Sequence, residues 1–117
     1  MISAAWPFRG EKGDTYTKIT SDTSERYIVP GYTGKFTNLT ALIIANTSAS
    51  VCKVTLRDSM GGNVRSVFQV PANNTVIAYF TGTREDSMEQ LEKNKEWTVT
   101  CGSSVDSIEV TALFKSN

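Results

Sequence analysis

Residues 51–70, VCKVTLRDSMGGNVRSVFQV, decide the fold class of this 117-residue chain. From Val51 to Asp58 the sequence alternates: Cys52, Val54 and Leu56 fall on one face, and Lys53, Thr55 and Arg57 on the other. A period of two is that of a strand with one buried face. Ser59-Met60-Gly61-Gly62-Asn63 follows, a hairpin loop of residues that tolerate positive φ. The returning strand, Val64 to Val70, is expected to turn Val64, Ser66, Phe68 and Val70 inward and Arg65, Val67 and Gln69 outward. An antiparallel hairpin results.

Working outward, the same chemistry repeats as short β-branched and aromatic runs between turn residues. Strands are expected over Arg26 to Val29, over Lys35 to Asn46 with a bend near Asn38, and over Thr75 to Phe80. Two more follow: Trp97 to Cys101 with Trp97, Val99 and Cys101 inward, and a last strand turning Ile108, Val110, Ala112 and Phe114 inward. Pro30-Gly31, Asn46 to Ser50, Pro71 to Asn74 and Gly102 to Ser104 supply the turns. Strands with one apolar face each can bury it only by stacking two sheets or closing a barrel. The expected fold is therefore all-β, an antiparallel two-sheet sandwich of jelly-roll or immunoglobulin-like type with about seven strands. Its core would be built by Cys52, Val54, Leu56, Phe68, Trp97, Val99, Ile108, Val110 and Phe114. Trp97 comes after Cys52 and just before Cys101, whereas an immunoglobulin domain sets its tryptophan on a strand near the first cysteine, which argues against a true immunoglobulin domain.

Two segments depart from this pattern. Residues 1–24 read as an extended N-terminal arm ahead of a single sandwich domain over 25–117, because Gly, Asp, Thr and Ser dominate after Trp6-Pro7-Phe8. Two large aromatics flanking a proline must be covered, either by their own domain or by a partner. Thr81 to Lys95 concentrates charge, and there Thr83 with Asp86 resembles a capping box while Met88 and Leu91 stand at i, i+3. One or two helical turns, or a solvated loop, would both account for it.

Composition excludes more than it selects. Twelve basic residues balance twelve acidic ones, so no global charge draws the chain to nucleic acid or an anionic membrane. No apolar run reaches the roughly 18 residues of a membrane span, and the first ten residues lack the pattern of a secretory signal. Histidine is absent, which removes the commonest general base and metal ligand and every Ser-His or Cys-His pair. Asp58, Asp106 and Glu109 are the strand-associated carboxylates, and no spacing brings two of them into one pocket. Glu85, Asp86, Glu89 and Glu92 lack the alternating pattern of a calcium loop, and Gly61-Gly62 lacks the Lys-Ser/Thr of a phosphate loop. Cys52 and Cys101 form no CxxC motif; inward strand positions suit two buried thiols, with a disulfide as the alternative. Asn38, Asn46 and Asn73 each open a glycosylation acceptor pattern that matters only in a secretory pathway. Lys53, Arg57 and Arg65 would share an outward face as a local basic stripe. No enzyme, cofactor or metal is expected.

The segment from Leu42 to Phe80, with LIIANTSA, VTLRD, GG and VPANNTV in succession, and the closing EWTVTCGSSVDSIEVTALFKS resemble small β-sandwich structural proteins of tailed bacteriophages. The resemblance covers about two-thirds of the chain and is similar in kind to capsid decoration, or cement, proteins. It implies a virion structural role on the outer capsid surface, after synthesis in the host cytoplasm. The implied partners are a major capsid protein and further copies of the chain, as a dimer or trimer, with no nucleic acid and no membrane. The charged segment Thr81 to Lys95 has no counterpart in that pattern. Candidate contacts with the capsid or between subunits are Trp6, Pro7 and Phe8 in the arm, Met60 and Asn63 in the hairpin loop, and Met88 and Leu91 in the charged segment. The alternative from another class is a tail- or fibre-associated sandwich that binds a carbohydrate or receptor through exposed rings, for which Tyr16, Tyr27, Tyr32 and Tyr79 are the available tyrosines.

Overall fold

A computed structural model describes residues 11–80, 87–102 and 107–116. They form eight strands: β1 (Glu11–Thr20), β2 (Arg26–Val29), β3 (Thr37–Asn46), β4 (Cys52–Asp58), β5 (Asn63–Val70), β6 (Asn74–Tyr79), β7 (Trp97–Cys101) and β8 (Ser107–Ser116). Two four-stranded antiparallel sheets stack, one ordered β1-β8-β3-β6 and the other β2-β7-β4-β5. Only the β4–β5 connection is a hairpin within one sheet; every other connection crosses to the facing sheet. That winding is a jelly roll, which settles the choice left open between jelly-roll and immunoglobulin-like sandwiches.

The core is the meeting of the two inward faces. Val54, Leu56, Cys52, Val70, Val99, Trp97 and Cys101 from one sheet pack on Ile19, Leu39, Leu42, Ile44, Ile108, Val110, Ala112 and Phe114 from the other. Phe68 is only partly buried against this cluster. Cys52 and Cys101 are buried thiols, not a disulfide. Cys101 lies opposite Val54, so Cys52 sits one inward position away along β4.

The expected arm over 1–24 does not hold for Glu11–Thr20, which pairs along its whole length with β8, Glu11 opposite Ser116 and Thr20 opposite Ser107. The strand is hard to read because its inward face is Gly13, Thr15, Thr17 and Ile19, and only Ile19 is a large apolar residue. Glycine at 13 is required by packing: a Cβ there would stand 2.6 Å from the Phe114 ring on the adjacent strand. Residues 1–10, with Trp6, Pro7 and Phe8, lie outside the described residues.

The hairpin also departs from simple alternation. A bulge lies where Leu56 pairs with Ser66 but Arg57 pairs with Val64. The extra residue, Arg65, reverses the facing of everything toward the loop, so Val64 is exposed and Arg65 turns in to Asp58. Neither residue occupies its expected face, and the basic stripe loses Arg65. The bend expected near Asn38 is a second bulge, between Leu39 and Ala41 in the pairing of β3 with β8.

Candidate assembly surfaces

One end of the sandwich is built around the β4–β5 loop. Ser59 and Gly61 take positive φ, and the N–H of Gly62 donates to the Ser59 carbonyl at 2.9 Å to close the turn. Two carboxylates from neighbouring loops hold it: Glu96 accepts from the Met60 N–H at 2.8 Å, and Glu25 accepts from the Gly61 N–H through both oxygens. Glu25 also accepts from the Thr98 hydroxyl. The loop is therefore anchored from below while the Met60 side chain stays exposed.

Beside it run residues 87–96, which overlap the expected charged segment over 87–95. No helix forms among them; the segment is pinned by hydrogen bonds to β3 and β4 instead. Met88 and Leu39 exchange backbone hydrogen bonds of 2.7 and 3.0 Å, the Gln90 N–H donates to Asn38, and the Thr37 N–H donates to Gln90 Oε1. The Leu91 N–H and Arg65 both donate to Asp58 Oδ2 at 2.8 Å, and Arg65 donates further to the Glu89 carbonyl. Arg65 also lies over the Trp97 ring, 5.6 Å from its centroid. Trp97 Nε1 donates to the Thr37 carbonyl at 2.6 Å, closing a network that ties β3, β4, β5 and β7 to the loop.

This arrangement places four of the expected contact residues at one end. Asn63 and Leu91 line a shallow cleft of about 370 Å³ together with Asp58, Ser59, Glu92 and Lys95. Met60 stands next to it, and Leu91 is 57% exposed. Met88 is different: its side chain packs against the core and serves as an anchor. Within the cleft, the carboxylate of Asp58 is engaged by Arg65 and the Leu91 N–H. Among the described residues, no group of three His, Cys, Asp or Glu side chains is placed to hold a metal ion. Glu109, another of the strand carboxylates singled out in the sequence, is on the opposite sheet and faces outward.

A second surface was not legible as a site in the sequence: the outer face of the β1-β8-β3-β6 sheet. Register places Tyr79, Ala41, Leu113 and Asp14 in one row across four strands, and Ile77, Ile43, Thr111 and Tyr16 in the next. Tyr79 is 76% exposed and Ile77 53%. Charge appears toward the β1 edge, at Lys115 of β8 beside the first row, and in the third row, where Glu109 accepts a hydrogen bond of 2.7 Å from the Tyr16 hydroxyl. The signal was there as alternation in Thr75, Ile77 and Tyr79, whose outward positions carry no charged residue.

The hydrogen bond to Glu109, with burial and the carboxylate's charge adding to it, raises the Tyr16 pKa above the usual tyrosine value. A raised folded pKa means that the stabilisation is fully present below the unfolded value and is lost as pH climbs through the folded one. Glu109→Gln is accordingly expected to lower the Tyr16 ionisation toward the ordinary value, read as tyrosinate absorbance in an alkaline titration; an unchanged curve would contradict the pairing.

No family model matches the chain, and no curated protein matches it. Among solved structures, it is similar to the extra small virus of the giant freshwater prawn Macrobrachium rosenbergii, in a virus-like particle seen by cryo-electron microscopy, at 12% identity and a TM-score of 0.43, over 99% of this chain and 84% of that one.

Proposed function

We propose that this chain is a virion structural protein that binds the outer surface of a phage capsid and stabilises contacts between major-capsid subunits. The observation that carries the reading is the outer face of the β1-β8-β3-β6 sheet, where Tyr79, Ile77, Ile43, Leu113 and Thr111 make an uncharged patch on the jelly roll. Flat apolar faces suit lateral packing against another protein and are costly to leave in water. The resemblance of residues 42–80 and 96–116 to phage decoration proteins supports the same reading. The role needs no catalytic group and no cofactor, and the neutral chain has no electrostatic drive toward nucleic acid or a membrane.

Such a protein acts by adding buried area across joints that internal pressure tends to open, and symmetry multiplies many weak contacts into a strong effect. The partners are a major capsid protein and further copies of the chain, as a dimer or trimer. Trp6, Pro7 and Phe8 together with the loop end carrying Met60, Asn63 and Leu91 are the proposed contact segments, with Met88 holding that end in place. The rival reading, a sugar-binding platform, needs rings side by side. Tyr16 and Tyr79 stand on the two edge strands of one sheet, about 14 Å apart at the usual strand spacing, and Tyr32 stacks on Phe114 at 5.9 Å.

The test is co-sedimentation of the purified chain with shells of the phage whose genome encodes it. The expected result is binding that saturates at a fixed number of copies per shell and weakens when residues 1–10 are removed. That truncation stops short of β1, whereas removing 1–24 would strip an edge strand and its buried Ile19. A chain that stays in the supernatant at every ratio would overturn the reading.

A further inference from the structure

Four strands form the edges of the two sheets, and three of them are blunted. On β1, Lys12, Asp14 and Lys18 are exposed on the outer face. β2 has four residues, carries an irregular register, and its Ile28 carbonyl accepts the Thr15 hydroxyl across the sandwich. β5 is bent by the bulge at Arg65. Charges, short length and bulges are the devices by which edge strands avoid pairing. β6, Asn74–Tyr79, has none of them: six residues in regular register with β3, without charge or proline.

Its backbone can be accounted for residue by residue. The Phe80 N–H donates to the Thr40 carbonyl of β3 at 3.1 Å. In an antiparallel ladder a residue's N–H and C=O point to the same side, and the next residue's point to the other. Ala78 and Val76 therefore face β3 with Phe80, while Thr75, Ile77 and Tyr79 turn their N–H and C=O groups away from the sheet, where the Thr75 N–H donates to Asn74 Oδ1 at 2.9 Å. These same residues carry the outward side chains, exposed in all three cases.

We propose that β6 is the pairing edge for a second copy of this chain, antiparallel about a two-fold axis through Ile77. Parity fixes the register. Pairing must set outward residues opposite outward ones, because a one-residue slip would turn one copy's apolar face over. Of the registers that remain, the one centred on Ile77 sets Ile77 opposite itself and Thr75 opposite Tyr79, and it engages all six outward backbone groups of each copy, the Thr75 N–H exchanging Asn74 Oδ1 for the partner copy. A two-fold axis makes every contact occur twice, so a charge at the centre would meet its own image; this strand has none. The outer faces then join into one sheet of eight strands, with Ile77, Tyr79 and Ile43 of both copies forming a continuous apolar surface. The pairing deepens the assembly reading above and rests on it for the expectation that copies meet.

The experiment uses the full chain and reads molar mass by light scattering over a range of concentrations, with amide hydrogen exchange on the same samples. Wild-type protein is expected at twice the chain's 12.8 kDa. Its Thr75, Ile77 and Tyr79 amides should be protected. Ile77→Lys sets two like charges face to face and is expected to weaken dimerisation by about 100-fold or more, with those three amides exposed and the rest of the exchange pattern unchanged. Tyr27→Lys, on the exposed surface of the other sheet, should leave the dimer intact. A wild-type monomer at all concentrations, or a dimer whose three amides exchange freely, would overturn the pairing. Should Ile77→Lys fail to fold, the wild-type amide pattern decides alone. Shell binding is scored separately: a monomer that still co-sediments overturns the pairing and leaves the virion role standing, and a dimer that does not co-sediment does the reverse.

Discussion

Trp97→Ala is expected to remove about 3–5 kcal/mol of stability, a large part of the 5–15 kcal/mol that holds a typical domain together. The indole is fully buried at the start of β7, where it fills the end of the core, so truncation leaves a cavity that the two sheets cannot close without losing register. Two further losses add to it. The Thr37 carbonyl loses its donor, at 2.6 Å in the structure, and Arg65 loses the ring it lies over. Trp97→Phe separates these effects: it keeps most of the apolar volume and gives up the N–H, and is expected to cost about 1–3 kcal/mol. Urea midpoints measure both. A loss for Trp97→Ala below about 1 kcal/mol would show that the ring is not the keystone described.

The second large effect is at Asp58. Its side chain is 3% exposed and accepts from Arg65 and from the Leu91 N–H at 2.8 Å. Removing one partner of a buried pair leaves the other charge without compensation, at a cost of about 3–5 kcal/mol. Arg65 keeps 21% exposure, so its guanidinium can recover some solvation and Asp58→Ala should sit near the low end, about 3 kcal/mol. Arg65→Met alone strands the more deeply buried carboxylate and should be the worse single change. The double variant should recover part of the loss, because neither charge is then left alone. Strict additivity of the two single losses would contradict the coupling. Since Asp58 also holds Leu91, its loss is expected to loosen the chain there, seen as faster amide exchange at Leu91, while the Met88 and Gln90 bonds to β3 stay in place.

How far the sequence carries follows from how each element is specified. The hairpin β4–β5 was legible because alternation over residues 52–58 and a Gly-Gly loop agree with each other, and the inward faces of β7 and β8 are legible for the same reason. β1 was not, since Gly13 is required by the ring of Phe114, a residue a hundred positions away, and Thr15 by a carbonyl in the other sheet. A local pattern cannot announce a distant requirement. Arg65 illustrates a different limit: one bulged residue inverts facing, so period-two reasoning assigns it and Val64 to the wrong faces. Residues 87–96 carry helix-like spacing at Met88 and Leu91, yet Met88 forms an isolated bridge to Leu39, and Gln90 and Asn38 exchange further bonds between the segment and β3. There tertiary hydrogen bonds override local propensity. Of the candidate contacts, Met60, Asn63 and Leu91 do gather at one end, Met88 turns inward as an anchor, and Trp6, Pro7 and Phe8 lie outside the described residues.

Both large effects concern a body made rigid at one end and left flat on one face. Rigidity is what a stapling role requires, because a compliant staple would stretch with the joint it spans. The direct test of that claim is the temperature at which shells release their genome, measured with the chain at saturation and again after it has been stripped away. The account predicts release at a higher temperature when the chain is present, and a return to that value when purified chain is added back. Release at the same temperature in all three samples, with the chain shown to be bound, would contradict it.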